Sequence, residues 1–290
     1  MEIITDDKDI ARAGFLWRER EGVLALVCTE LEREGFANAF STRLGGVSPF
    51  PKDSLNLAGF NDDAAENIYE NRRRFLKLFE GDFVLAACWQ THSSDVRLVK
   101  DTEDARPPEA SLGENIYCDA LTTSAPRVLL GVKTADCVPV LLADAGGGAC
   151  AAVHAGWRGT VSSIVAGTLE RMKVEFGTDA RDVLASIGPA ANACCYEVGS
   201  EVIEAFHEKF PDSASLFTPT REGHARVDLQ RANREQLIAA GVAAENIHTA
   251  PLCTMCRTDL FFSYRREKRS AGRVGRLLSV IGKGGEMVKG

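Results

Sequence analysis

Apolar and polar positions change period several times along the chain, and each change predicts an element. Between 62 and 79, Ile68, Phe75, Leu76 and Phe79 recur at helical spacing behind Asp62 and Asp63, which predicts a helix. Residues 83–88 read as a strand running into Trp89-Gln90-Thr91-His92. Apolar runs at 128–132 and 138–142 follow, and a third strand is expected at 149–153 behind the turn Gly146-Gly147-Gly148. The last two runs are close enough to pair antiparallel, which argues against an all-parallel sheet. Further along, 160–176 reads as a helix stopped by Gly177, 183–187 as a strand, 201–210 as a helix, 229–240 as a helix stopped by Gly241, and 276–281 as a late strand. Residues 101–113, with Arg106-Pro107-Pro108-Glu109, read as a surface loop and not as a domain linker. Helix and strand signals thus alternate in one mixed α/β or α+β domain over residues 1–290.

Composition narrows the setting. The chain has 290 residues, 45% of them hydrophobic and 26% charged, enough apolar material for a core without staples. A net charge of −7 argues against nucleic acid as partner. No apolar run is long enough to span a bilayer, so no membrane role is expected. The first fifteen residues lack a basic segment followed by an apolar one, and nine cysteines then read as reduced thiols. A cytoplasmic protein, monomeric by default, is the expectation.

The candidate chemistry centres on His92, Cys137 and His154. His92 and His154 each follow an apolar strand, and Cys137 lies between two apolar runs. His154 leads into Ala155-Gly156-Trp157-Arg158-Gly159, where glycines permit close approach of a ligand. Two imidazoles and a thiolate suit a catalytic zinc with one open position. They equally suit metal-free catalysis by a cysteine thiolate with a histidine base. A buried cysteine or a hydrogen-bonded histidine is the ordinary role of such residues taken singly, and His207, His224 and His248 are assigned to it. Arg43, beside Gly45 and Gly46, offers a fork for an anion. The turn lacks a P-loop ending, and no dinucleotide-binding glycine motif follows a strand. Cys194-Cys195 is a vicinal pair without a partner motif. Cys253-Thr254-Met255-Cys256 is a CxxC for which no second pair is evident, so a structural zinc is not expected there.

Ten blocks carry a resemblance: FSTRLGGVS (40–48), SLNLAGF (54–60), NRRRF (71–75), WQTHSSDV (89–96), CDALTT (118–123), KTADCVPVLL (133–142), VHAGWRGT (153–160), SIGPAANACCYEV (186–198), CTMCRTDLFFSYRR (253–266) and AGRVGR (271–276). Over about residues 36 to 282 the chain resembles the YfiH-like or laccase-domain proteins, also called the purine nucleoside phosphorylase or polyphenol oxidase family. The resemblance implies an αββα sandwich of mixed sheets, similar to the catalytic domain of cytotoxic necrotizing factor. It implies zinc held by His92, Cys137 and His154, with copper possible at the same site. It also implies phosphorolysis of adenosine, inosine, guanosine and methylthioadenosine, with deamination of adenosine, so that nucleoside and phosphate are the expected partners. Arg43, Asn56, Gln90 and Asp136 are the expected substrate contacts, Asp136 alternatively orienting a metal ligand. Two other readings stay open: a Cys137-dependent hydrolase editing muramyl-peptide precursors, and a copper-dependent polyphenol oxidase. Five histidines in all are too few for a multicopper cluster.

Overall fold

The computed structural model describes residues 7–58, 63–105, 117–210 and 212–284. Its strands, in chain order, are β1 (Phe15–Arg20), β2 (Val23–Cys28), β3 (Phe36–Ser41), β4 (Val84–Ala87), β5 (Val96–Leu98), β6 (Ala120–Thr123), β7 (Val128–Thr134), β8 (Val138–Asp144), β9 (Cys150–Ala155), β10 (Val183–Ile187), β11 (Glu197–Gly199), β12 (Phe217–Arg221), β13 (His224–Val227), β14 (Ile247–Thr249) and β15 (Leu277–Lys283). The helices are α1 (Asp7–Arg12), α2 (Thr29–Arg33), α3 (Ala65–Leu76), α4 (Trp157–Val161), α5 (Ile164–Phe176), α6 (Ser200–Lys209), α7 (Leu229–Ala239) and α8 (Tyr264–Ala271).

Two six-stranded sheets form the centre, ordered β1-β2-β3-β15-β7-β4 and β14-β10-β8-β9-β6-β5. Both are mixed: β4–β7, β5–β6 and β10–β14 pair parallel, and the other pairs in these sheets are antiparallel. Alternation along β7 shows why the sheets stack. Leu130 and Val132 point into a core shared with Leu121, Leu141 and Ala152 of the second sheet, whereas Leu129 joins Phe75 of α3 on the opposite face. The outer face of the second sheet is covered by Ile164, Leu169 and Met172 of α5 and Leu237 of α7. Each such fully buried Leu or Phe contributes about 1.5–3 kcal/mol of transfer free energy. The result is the expected αββα layering. A small sheet, β11-β13-β12, lies beside it.

The expected strands at 128–132, 138–142, 149–153 and 183–187 are all present, and β8 pairs antiparallel with β9 from Val138 opposite Ala155 to Ala143 opposite Cys150. The expected helix at 160–176 is two helices, because Ser163 takes a left-handed conformation (φ 58°) that ends α4 and starts α5. Gly177 closes α5 at φ 74°, as its position predicted. The helix expected from 62 starts at Ala65; Asp62 and most of the 101–113 loop lie outside the described residues. Among the described residues, no helix is long and apolar enough to cross a membrane.

Candidate active site

The two sheets deliver the three candidate ligands to one point. Cys137 sits where the chain crosses from β7 in the first sheet to β8 in the second, and His154 is the penultimate residue of β9. Register places them together, since Val138 pairs with Ala155 and Pro139 with His154. His92 arrives from the segment following β4. Its ring centroid is 4.9 Å from that of His154, and its Nε2 is 3.9 Å from Cys137 Sγ. The three donor atoms lie within 4.8 Å of one another, a group that could hold a metal ion.

One residue organises this group. Asp119, fully buried just before β6, receives His154 Nδ1–H at Oδ1 (2.7 Å) and His92 N–H at the same oxygen (3.0 Å). Its Oδ2 accepts Ser93 N–H (2.7 Å), Ser93 Oγ–H (2.9 Å) and Thr91 N–H (3.1 Å). The carboxylate thereby fixes both the loop carrying His92 and the tautomer of His154, leaving Nε2 of His154 for a ligand. Sequence reasoning missed Asp119. Its signal was an acid flanked by Cys118 and the apolar start of β6, a place where a carboxylate is buried only if it has work to do.

The electrostatics follow from these contacts. Burial raises the Asp119 carboxyl, but the hydrogen bond and charge of His154 and the donors of Ser93 outweigh it and bring it to about 2. Burial lowers His154, yet Cys137 and Asp119 raise it to about 9. Burial likewise pushes the Cys137 thiol up, and His154 with His92 draws it down to about 6. A thiolate facing an imidazolium is thus the favoured proton arrangement when no metal is bound.

Two backbone positions at the site carry strain. His92 (φ 61°) and Asp136 (φ 94°) are held in positive-φ conformations that cost a non-glycine residue about 1–3 kcal/mol. Asp119 restrains the first. The second is restrained by its own carboxylate, which accepts Thr254 Oγ–H (2.7 Å), Ser263 Oγ–H (3.0 Å) and Arg265 N–H (2.7 Å). Gly156 allows the close approach: a Cβ there would lie 3.0 Å from His92 Cδ2 and 3.2 Å from Cys137 Sγ.

The group opens into a cavity of about 510 Å³, a size suited to a small-molecule ligand. Its walls carry Trp89, Trp157, Tyr196 and Tyr264 together with Lys133, Arg158, Arg265 and Arg276. The Arg158 guanidinium lies 4.1 Å from the Trp157 ring centroid, Arg265 4.9 Å from that of Tyr196, and Arg276 5.9 Å from that of Tyr264. On a chain of net charge −7, this cavity gathers four cations.

The expected substrate contacts divide. Asp136 and Gln90 line the cavity. Gln90, however, gives both ends of its amide to the Lys133 backbone (2.7 Å each), bracing the 88–92 segment on β7. Asp136 has its carboxylate engaged as above. Arg43 is corrected from anion ligand to internal strut. It is buried, donates to the Thr258 (2.6 Å) and Phe261 (3.3 Å) carbonyls, pairs with Glu267 at 3.0 Å, and lies over the Phe262 ring. Asn56 is also withdrawn from the cavity: its Oδ1 accepts Arg276 N–H (2.8 Å) and Ala58 N–H (3.2 Å), so it supports Arg276 from beneath. The arginines on the cavity wall were not singled out as site residues in the sequence, although Arg158 stands between the glycines of Gly156-Trp157-Arg158-Gly159.

The vicinal cysteines do have a partner. Cys194 and Cys195 meet Cys253 and Cys256, and the four Sγ atoms lie within 4.8 Å of one another.

The family model described as multi-copper polyphenol oxidoreductase laccase matches residues 37–283. The chain is 39% identical over 241 residues to a purine nucleoside phosphorylase of Bacteroides thetaiotaomicron, covering 81% of this chain and 87% of the other. It is 37% identical over 258 residues to adenosine deaminase RL5 of an unknown prokaryotic organism, covering 84% and 96%. The crystal structure of Bacillus licheniformis hypothetical protein YfiH superimposes with a TM-score of 0.82 at 31% identity, covering 92% of this chain and 98% of that one.

Proposed function

The chain belongs to the family described as multi-copper polyphenol oxidoreductase laccase, and from that membership we propose that it is a zinc-dependent purine nucleoside phosphorylase that also deaminates adenosine. The observation that carries this reading is the cavity itself: aromatic rings and arginines stand beside a two-histidine, one-cysteine donor set. Flat aromatic faces suit a purine, and guanidinium groups suit phosphate. Relatives named purine nucleoside phosphorylase and adenosine deaminase support it.

The donor set fits zinc. His154 turns Nε2 away from Asp119, Cys137 is already disposed to be a thiolate, and His92 completes three protein ligands, the number a catalytic zinc uses. When bound, zinc supplies Lewis acidity and positive charge at neutral pH. The rest falls to the chain. In phosphorolysis a phosphate oxygen bonds to C1′ as the bond from C1′ to the purine nitrogen breaks, and positive charge develops on the ribose. Arg158, Arg265 and Arg276 hold the phosphate dianion in place for that attack. Trp157, Tyr196 and Tyr264 stack the nucleoside and exclude water. Asp119 keeps the imidazoles aligned, and Asp136 keeps Cys137 at the β7–β8 crossing.

A second reading rests on one specific observation, Cys137 Sγ within 4.8 Å of both imidazoles, which draw its thiol down to about 6. In it, Cys137 is the nucleophile of a hydrolase acting on muramyl-peptide precursors, with His154 as its base. Copper-dependent phenol oxidation has the weakest support, because five histidines leave no material for a multicopper cluster.

Chromatography of adenosine incubated with metal-replete protein, with and without phosphate, tests the proposal. Phosphate-dependent adenine and phosphate-independent inosine are expected, both lost in His92→Ala and Cys137→Ala. No turnover of any purine nucleoside overturns it, and nucleoside turnover that survives a chelator removes zinc from the reading.

A further inference from the structure

Cys194 and Cys195 lie in one tight turn, Cys253 and Cys256 in another, and the turns face each other. In the first, Cys195 N–H and Tyr196 N–H both donate to the Asn192 carbonyl at 2.9 Å. In the second, Cys256 N–H (3.2 Å) and Arg257 N–H (3.0 Å) donate to the Cys253 carbonyl. A bridge between Ala190 and Cys253 fixes their relative position, with Thr254 N–H donating to the Ala190 carbonyl at 3.0 Å. Residues 61 apart in sequence thereby bring Cys195 Sγ to 3.3 Å and, at a separation of 62, Cys194 Sγ to 3.6 Å from Cys256 Sγ.

We propose that Cys194, Cys195, Cys253 and Cys256 form a second metal site, a closed four-thiolate site for zinc, which clamps the two turns beneath one wall of the active-site cavity. Geometry is the first argument. With zinc–sulfur bonds of about 2.3 Å, the edge of a tetrahedron of sulfurs is about 3.8 Å, and the four Sγ atoms all lie within 4.8 Å. An iron–sulfur cluster holds its thiolates around an inorganic body and needs them spread wider. Disulfides would join the sulfurs two by two at about 2.05 Å, whereas Cys256 Sγ stands 3.6 Å from Cys194 Sγ and 3.3 Å from Cys195 Sγ at once.

The surroundings make the second argument. Asn192 N–H points at Cys253 Sγ (3.5 Å), and the Arg266 guanidinium is 4.0 Å from Cys195 Sγ. A neutral thiol is a poor acceptor, whereas a metal-bound thiolate draws such donors and is stabilised by them. Cys253 is buried while the other three are half-buried, so a cation can enter from solvent and then be enclosed.

The clamp acts on the cavity through short covalent steps. Tyr196, next to Cys195, is a wall of the cavity. Thr254, next to Cys253, donates to the Asp136 carboxylate that restrains the residue before Cys137. These four cysteines are positioning residues: they touch no substrate and set where Tyr196 and Asp136 stand.

Metal analysis of the protein purified under reducing conditions tests this independently of the catalytic assignment. A His92→Ala/Cys137→Ala double variant disables the active-site donor set; it is expected to retain about one zinc per chain. Adding Cys195→Ser and Cys256→Ser is expected to remove it. In the double variant, cobalt is expected to give the intense sulfur-to-cobalt absorption of four thiolates, a readout that leaves all four cysteines in place and does not depend on the serine variants folding. In an otherwise unchanged chain, Cys195→Ser/Cys256→Ser is expected to lower Tm and raise KM with a smaller effect on kcat. The inference is overturned if the double variant, with its four cysteines reduced, binds neither zinc nor cobalt. Recovery of a Cys195–Cys256 disulfide from protein handled under reducing conditions overturns it equally.

Discussion

Asp119 Oδ1 stands 2.7 Å from His154 Nδ1 and 3.0 Å from the backbone nitrogen of His92, so one carboxylate oxygen sets the position of two candidate ligands. Replacing Asp119 with Asn keeps the shape and removes the charge. Metal affinity, measured by competition with a chromophoric chelator, is expected to fall about 10–100-fold. Asp119→Ala is expected to destabilise the fold as well, by about 3–5 kcal/mol in denaturant titration, because His154 is left buried without its partner. Unchanged affinity in both variants would remove Asp119 from the site.

Gly156→Ala probes the space around the ligands without straining the backbone, since Gly156 has an ordinary φ of −67°. The added methyl must push His92 or Cys137 by a few tenths of an ångström. The expected outcome is weaker metal binding and at least a tenfold loss of kcat/KM, with a Tm close to that of the parent. A fully active variant would show that the donor set tolerates displacement.

Alkylation of Cys137 reads its proton directly. The neighbouring histidines overcome the effect of burial and bring the thiol down to about 6. The reactive species is the thiolate, so the iodoacetamide rate in chelator-treated protein, followed by peptide mapping, is expected to rise tenfold per pH unit below about 6 and to level off above it. Zinc is expected to protect. An inflection near 8.5, the value of an unperturbed thiol, would mean that the imidazoles do not act on it. The same pair predicts a flat stability profile for metal-free protein. His154, raised to about 9, contributes below its unfolded value near 6.5 and loses that contribution as pH rises through about 9. Cys137, lowered to about 6, contributes above its unfolded value near 8.5 and loses that contribution as pH falls through about 6. Between about 6.5 and 8.5 the two slopes cancel, because folding moves a proton from sulfur to imidazole without taking up or releasing one.

Arg43 and Arg158 are expected to separate stability from binding. Arg43→Ala leaves Glu267 partly buried and without this partner, at an expected cost of about 3–5 kcal/mol, with KM for phosphate unchanged in the folded enzyme. Arg158→Ala, on an exposed side chain over Trp157, is expected to leave Tm nearly unchanged and to raise KM for phosphate about tenfold or more. The reverse pattern would return Arg43 to the anion site.

Much of this was legible in the chain. Strands β7 to β10 are short apolar runs bounded by turns and buried on both faces, so their pattern is continuous. The β1–β2 hairpin was less visible: Glu21 (φ 50°) and Gly22 (φ 81°) form its tight turn, and glutamate is not among the residues, asparagine, aspartate and glycine, that announce the first position of such a turn. The strand β12, FTPTR, is largely exposed and carries no apolar rhythm at all. His92, Cys137 and His154 announced themselves by residue type at strand ends. Asp119 did not, because an acidic residue acquires meaning only when burial and partners are known. The cysteine cluster is hidden for a different reason: the two pairs come from separate turns, and a vicinal pair is not a familiar ligand spacing.

Each sheet contributes only part of the donor set: the segment after β4 belongs to one, His154 and the Asp119 turn to the other, and Cys137 lies on the crossing between them. The site is therefore a measure of sheet alignment. If the two layers slide by an ångström, every ladder within each sheet can persist while the distances among the three donors do not. Competence is then lost before cohesion, and a preparation that is fully folded by backbone spectroscopy can still be silent in the assay.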